Sequence, residues 1–284
     1  MNDPSISIVG VGRLGNALAS QLHAAGYRVC EVIAHSRVSS QVRQRARLVM
    51  AMATTLHAAK LEGKLVWLCV PDSEIKATAA QLAFHDWKQK IVFHSSGVLS
   101  SDTLARLKER GARVASVHPL MTFVRGSVPS LRQVPFAIEG DRIAVRAARL
   151  IARRLGGRPV AIRKQDKPAY HLFATLICPL IISLLAVSEK TATLAGLSPA
   201  EARIRMLPII RQAISNYRQV GVGGAFTGPF VRGDVETVRL HLKTLARSPA
   251  IKAVYVSLAE AALENLPHCR ANEIRSALRQ PLQN

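Results

Sequence analysis

Acidic residues are scarce in this chain. Its 284 residues hold 18 Asp+Glu against 39 Lys+Arg, a formal net charge of +21. Aromatics are also few, at 5%. Nucleic-acid surfaces pair clustered basic residues with stacking aromatics or a recognisable motif. Here the basic residues are dispersed, as in Arg142, Arg146, Arg149, Arg153 and Arg154, and no basic run is interleaved with aromatics. Nucleic acid is therefore not an expected partner. What remains is an arginine-rich solvated surface whose positive field draws phosphorylated or carboxylate ligands. Cysteine is sparse too. Cys30, Cys69, Cys178 and Cys269 form no C-x-x-C pair, which excludes a disulfide framework or a zinc pattern and suits free thiols in a reducing cytoplasm. No metal site is expected.

A long uninterrupted apolar run is also lacking. The longest, 172–187, is shorter than the ~20 residues of a spanning helix and is broken by Thr175, Pro179 and Ser183. It is expected to be the buried central helix of a domain or dimer rather than a membrane segment. Met1-Asn2-Asp3-Pro4 leads straight into an apolar strand, so no secretory leader is expected and the location is taken as cytoplasmic. With 49% hydrophobic and 20% charged residues, the chain has the composition of a globular protein with a real core.

The clearest positive signal is Ile6-Ser7-Ile8-Val9-Gly10-Val11-Gly12-Arg13-Leu14-Gly15, a strand, a G-x-G-x-x-G turn and the start of a helix. In a dinucleotide site Gly10 permits the tight turn, Gly12 lets the pyrophosphate approach, and Gly15 allows helix and strand to pack closely. The free N–H groups at Arg13, Leu14 and Gly15 then face the phosphates. The rest of the first half alternates. Strands are predicted at 6–9, 28–34, 52–55, 65–70, 91–94, 113–117, 135–138 and 159–162, with helices at 15–25, 41–49, 73–82, 101–110 and 142–155. Short apolar runs without alternation, such as Leu65-Val66-Trp67-Leu68, are strands covered on both faces. The pattern predicts an α/β doubly wound Rossmann sheet in a domain of residues 1–163.

Strand signals end there. Residues 164–284 are predicted all-helical: one helix from 167 to 195, one from the Ser198-Pro199 cap to about 220 with a kink at Pro208, a flexible glycine-rich loop over 221–229, then helices at 234–246, 249–266 and 272–278.

An NAD site places Asp or Glu at the tip of the second strand, on the ribose 2′-OH. Here that tip carries His35-Ser36-Arg37, with a hydroxyl and a guanidinium suited to a 2′-phosphate, so Ser36 and Arg37 point to NADP(H). Glu31 lies mid-strand and should point away from the tip. Arg13 can also reach a phosphate. Val70, Pro71 and Asp72 close the fourth strand beside the nicotinamide-side ribose, with Asp72 alternatively a helix cap.

Three clusters stand where a substrate would meet the nicotinamide. His94-Ser95-Ser96-Gly97 follows strand five, with His94 a candidate acid–base group and Ser95 a candidate cofactor contact. His118-Pro119-Leu120-Met121 follows strand six. Asp166-Lys167-Pro168-Ala169-Tyr170-His171 opens the long helix, with Lys167 and His171 four apart on one face. Histidine and lysine there can bind a carbonyl or imine and pass a proton, making His94, His118, Lys167 and His171 the catalytic candidates. Each also has a structural alternative: a local turn for the histidines, a solvated capping motif for the lysine.

With these pieces placed, the chain resembles the Rossmann-like proteins with a C-terminal DUF2520 domain, relatives of pyrroline-5-carboxylate reductase, ketopantoate reductase and the β-hydroxyacid dehydrogenases. The carriers are the glycine turn, CVPDSEI from Cys69, HSSGVLSSDTL from His94, SVHPLMTF from Ser116, DKPAYHLFAT from Asp166 and TGPFVRGDVETVRLHLKTL from Thr227. The resemblance implies a Rossmann domain followed by a helical domain like that ending 6-phosphogluconate dehydrogenase, and a homodimer formed through the helical halves. It implies an NADP oxidoreductase without naming a substrate. In the β-hydroxyacid dehydrogenases a catalytic Lys and an Asn sit four apart at the start of a long helix. Lys167 matches the Lys, and His171 stands where the Asn does. The expectation is hydride transfer to a small carbonyl or imine bearing a carboxylate, the alternative a non-catalytic NADP(H) sensor or scaffold.

Overall fold

The computed structural model describes residues 5–279. It divides into two compact units, one up to Cys178 and one from Pro179. The first unit therefore includes residues 164–178, which the sequence assigns to the helical domain.

In chain order the first unit holds β1 (Ile6–Val9), α1 (Arg13–Ala24), β2 (Val29–Ala34), α2 (Ser40–Leu48), β3 (Met52–Thr55), β4 (Leu65–Leu68), α3 (Asp72–Gln81), β5 (Ile91–His94), α4 (Ala105–Glu109), β6 (Arg113–Pro119), β7 (Pro135–Gly140), α5 (Arg142–Arg154), β8 (Arg158–Ala161) and α6 (Lys167–Ile177). All eight strands form one sheet in the order β3-β2-β1-β4-β5-β6-β7-β8. The first six are parallel, β7 is antiparallel to β6, and β8 is parallel to β7. The order reverses between β1 and β4, which opens the crevice where doubly wound sheets bind ligands. The two faces of the sheet bury separate cores. Ile6, Ile8, Trp67, Phe93 and Phe136 lie in one, and Val9, Ile33, Leu68, Ile75 and Trp87 in the other. Each such side chain contributes roughly 1.5–3 kcal/mol on burial.

Glu31 is an acid inside β2 and fully buried. It accepts hydrogen bonds from Ser7 Oγ at 2.7 Å and from the Lys60 and Glu62 amides at 2.9 Å each. It pins the chain before β4 to the sheet, well away from the strand tip.

The second unit holds α7 (Pro179–Ala192), α8 (Pro199–Ala225), α9 (Pro229–Arg232), α10 (Val235–Thr244), α11 (Pro249–Asn265) and α12 (Ala271–Arg279). Val235, Val238, Leu242, Ala259, Leu263, Ile274 and Leu278 form its core. Ser198 opens α8 in a capping box with Glu201.

Three expectations are corrected here. The helix expected over 167–195 is interrupted at Cys178 (φ −125°, ψ −82°), because Pro179 disfavours helical geometry in the residue before it. α8 leaves helical geometry at Gly221 (φ 71°), where the residue has no Cβ to oppose it, and of the loop expected over 221–229 residues 222–225 are helical. Finally, the apolar stretch is not buried within the chain. α7 has no buried residue, and Leu172, Ile177, Ile181, Ile182, Ile204 and Ile209 stand exposed. By length and hydropathy alone 164–195 would suffice to cross a membrane. The break at Cys178 divides it into helices of 11 and 14 residues, each short of ~20, and Lys167 is held inside the first unit.

Candidate functional site

The glycine turn assigns each of its glycines a different task. Gly10 has φ +95°, and a Cβ there would lie 2.6 Å from the Cys69 carbonyl. A Cβ on Gly15 would fall 1.9 Å from the Gly10 carbonyl. The fold itself requires both. Gly12 meets nothing within 4 Å, so no protein neighbour accounts for it; the space it keeps open is room for a ligand.

Two cavities meet at that turn, sharing Val11 and Gly12. The first, of about 280 Å³, is walled by Gly10, Ala34, His35, Leu56, Cys69, Val70 and Pro71. Burial there pushes the Cys69 thiol up, keeping it protonated. The second, of about 490 Å³, is walled by Arg13, Asn16, Gln41, Arg45 and the turn 124–128. Gly10, Gly12, Arg13, Val70 and Pro71 are thus brought together as the sequence predicts. Ser36 and Arg37 follow His35, exposed, but line neither cavity. Gly15 is a packing residue, and Leu14 packs on the sheet core.

The second cluster lies at the tips of β5 and β6 and at the start of α6. Ser96 is its hub. Its hydroxyl donates to Asp72 Oδ2 at 2.7 Å and accepts from the Val98 and Leu99 amides at 3.3 and 2.9 Å. Its carbonyl accepts from Lys167 Nζ at 3.0 Å, and Lys167 also donates to Ser116 Oγ at 2.8 Å. His118 donates from Nδ1 to the Ser95 carbonyl at 3.1 Å, which directs its Nε2 outward as an acceptor. The His118 and His171 rings stand edge to face with centroids 6.1 Å apart. Both overlie Gly97, where a Cβ would be 2.3 Å from His171 Cδ2 and 3.0 Å from His118 Cε1.

Burial, together with the nearby Lys167 ammonium and His171, lowers the His118 pKa. Desolvation likewise brings Lys167 down to about 8. Among the described residues no group of three His, Cys, Asp or Glu is placed to hold a metal ion.

Residues 2–119 match the model of the Rossmann-like domain, and residues 134–262 match that of DUF2520, a domain of unknown function. The chain is a Rossmann-like/DUF2520 protein. Solved structures of similar fold include BF3122 from Bacteroides fragilis, an NADP oxidoreductase by provisional assignment. It is 23% identical over 93% of this chain and 99% of its own, with a TM-score of 0.80. TM1727 from Thermotoga maritima is 24% identical over 96% of this chain and all (100%) of its own, with a TM-score of 0.68. A reductive aminase from Aspergillus terreus, in complex with NADPH and ethyl-5-oxohexanoate, is 15% identical over 97% and 99% of the two chains, also at 0.68. No curated protein matches the sequence.

Two sequence-predicted roles change in this DUF2520 protein, those of His94 and Lys167. His94 is fully buried, donating from Nε2 to the Ser100 carbonyl and accepting the Ser96 amide at Nδ1; with both nitrogens engaged and burial lowering its pKa to about 4, it shapes the turn and does not meet a substrate. Lys167 is also fully buried, so it braces β5 against β6 instead of projecting into open space. Asp72 does not cap α3; its exposed carboxylate accepts from Ser96 Oγ at Oδ2. Ser95 accepts from Trp67 Nε1 at 2.8 Å. Ser96 and Gly97 belong to the predicted strand-five cluster and Ser116 to the motif leading into His118, but the sequence assigns none of them a role of its own. Their one signal is position beside the two strand-tip histidines.

Proposed function

We propose that this protein is a cytoplasmic NADP(H)-dependent reductase of a small carbonyl or imine substrate bearing a carboxylate, acting as a homodimer formed through its helical domain. The observation that carries the reading is His118. Its Nδ1 is committed to the Ser95 carbonyl and its Nε2 has no partner among the described residues, at the strand end where this fold presents substrates. The open space at Gly12 and the arginine-bearing cavity beside it fit a dinucleotide.

NADPH, when bound, supplies the hydride. His118 exchanges the proton from Nε2, and the adjoining His171 ring orients the acceptor. Burial of the His118 ring lowers its pKa and favours the neutral form, and the charge of Lys167, which fixes both strand tips, adds to that. The reductive direction needs protonated His118, so its rate should rise as pH falls toward the lowered His118 value. The NADPH-bound reductive aminase of like fold supports the carbonyl or imine class. The net charge of +21 supports an anionic substrate, and the exposed apolar residues of α6 to α8 support a dimer.

The test is NADPH oxidation against a panel of keto acids and cyclic imines. Turnover that His118→Gln abolishes while NADPH binding persists upholds the assignment. Tight NADPH binding with no turnover on any substrate refutes it and leaves the sensor. Light scattering checks the dimer: Ile182→Glu should give monomer, and a wild-type monomer would sink that part.

A further inference from the structure

The cavity of about 490 Å³ has a wall composition that packing does not explain. Arg13 comes from the first turn of α1, Arg45 from α2, and Arg125 from the turn 124–128. No carboxylate lines the cavity, and none of these arginines forms an ion pair among the described residues. Arg45 is half-buried and held by neutral partners: it donates to Asn16 Oδ1, and from Nη1 to Ser20 Oγ at 2.6 Å. Those bonds fix the guanidinium without cancelling its charge. The 124–128 turn is tied down as well, because Gln21 Nε2 of α1 donates to the Pro129 carbonyl just beyond it. Three like charges converging on one basin repel one another unless an anion occupies it.

We infer that this basin recognises a phosphate group of the bound dinucleotide, with Arg45 and Arg125 as its phosphate contacts. The inference rests on the NADP(H) reading above. It moves phosphate recognition from the Ser36-Arg37 tip to a cavity in which one arginine, Arg45, is already held in place. Two guanidiniums from separate elements can each present parallel N–H donors to one phosphate, which a single loop arginine cannot match. The basin borders Gly12, where the dinucleotide backbone passes, so the 2′-phosphate and the pyrophosphate share the chemistry it reads.

The experiment titrates the full chain with NADPH and with NADH by fluorescence, for wild type, Arg45→Gln, Arg125→Gln and Arg37→Gln. Arg125 makes no hydrogen bond or ion pair among the described residues, so folding of that variant is not at issue. At least tenfold weaker NADPH binding in both basin variants, with NADH within about twofold, upholds the inference and identifies the 2′-phosphate. Equal weakening of both nucleotides upholds it and identifies the pyrophosphate. Wild-type affinity for both in Arg45→Gln and Arg125→Gln, with loss only in Arg37→Gln, overturns it while the NADP(H) reading stands. If wild type binds neither nucleotide, that reading falls. The basin is then judged by inorganic phosphate: thermal protection of wild type that Arg125→Gln removes upholds it, and no protection overturns it.

Discussion

Gly97→Ala isolates the geometry on which the proposed chemistry depends. The added methyl would sit 2.3 Å from His171 Cδ2 and 3.0 and 3.1 Å from His118 Cε1 and Nε2. Ordinary contact begins near 3.4 Å, so the His171 ring must retreat by about 1 Å and the His118 ring by a few tenths. Gly97 is not among the positive-φ residues, so alanine brings no backbone strain and the effect is one of crowding. Overpacking of this kind costs about 1–3 kcal/mol, relieved in part because the His171 ring can rotate. A misplacement of ~1 Å in a reacting group costs on the order of 10²-fold in rate. The expectation is a folded protein with slightly lower thermal stability, NADPH affinity within about twofold of wild type, and turnover down roughly 100-fold. Thermal unfolding, nucleotide titration and steady-state kinetics read the three quantities separately, and NMR titration of His118 reports the disturbed ring directly. Wild-type turnover together with wild-type stability would refute the idea that Gly97 seats the two imidazoles.

Three further substitutions test other parts of the structure. Gly12→Ala should fold normally and lose nucleotide affinity, since its Cβ meets nothing and its φ of −75° suits alanine, whereas Gly15→Ala, 1.9 Å from a backbone oxygen, should lose more than about 3 kcal/mol; denaturant melts beside NADPH titrations separate the two. Glu31→Ala removes the acceptor of the buried Ser7 hydroxyl and of the Lys60 and Glu62 amides and should cost about 1–3 kcal/mol while leaving NADPH affinity unchanged, and a selective loss of affinity would instead place Glu31 in the site. His94 has a folded pKa of about 4, below its ordinary 6.5, so the unfolded chain binds more protons between those values; its contribution to stability is complete above about pH 6.5 and is lost as pH falls through 4, about 3 kcal/mol in all. Melts across that window should show this slope in wild type and a shallower one in His94→Gln; parallel slopes would contradict the assignment.

The first half of the fold is legible because its signals are local. Buried strands are short apolar runs, and the G-x-G-x-x-G spacing encodes a turn whose close contacts at Gly10 and Gly15 the structure bears out. The reversal of β7 and β8 is not local: nothing in Pro135–Gly140 marks which way it pairs with β6. The glycines at 221, 223 and 224 read as a loop because each costs ~1 kcal/mol in a helix; Gly221 does leave helical geometry, while Gly223 and Gly224 stay within α8, so the local cost decides only part of the outcome. Lys167 was the least legible residue. Its partners are Ser96, 71 residues away, and Ser116, 51 away. A lysine beginning a helix is ordinarily solvated, and only the assembled sheet shows that this one is enclosed.

That enclosure reorders the chemistry within the site. Lys167 is fully buried against Ser96 and Ser116, so it presents no open ammonium to a substrate. Its influence is exerted as a field. With a pKa of about 8, Lys167 stays charged across the whole range in which His118 titrates, and that charge helps hold His118 neutral. Lys167→Met should therefore raise the His118 pKa toward its ordinary value and shift the pH profile of reduction upward with it, with turnover persisting wherever the turn survives. If Lys167 were itself the proton donor, the same variant would lose turnover at every pH, whatever it did to the His118 titration. NMR titration alongside the rate profile separates these two accounts, because only the field predicts that both curves move together.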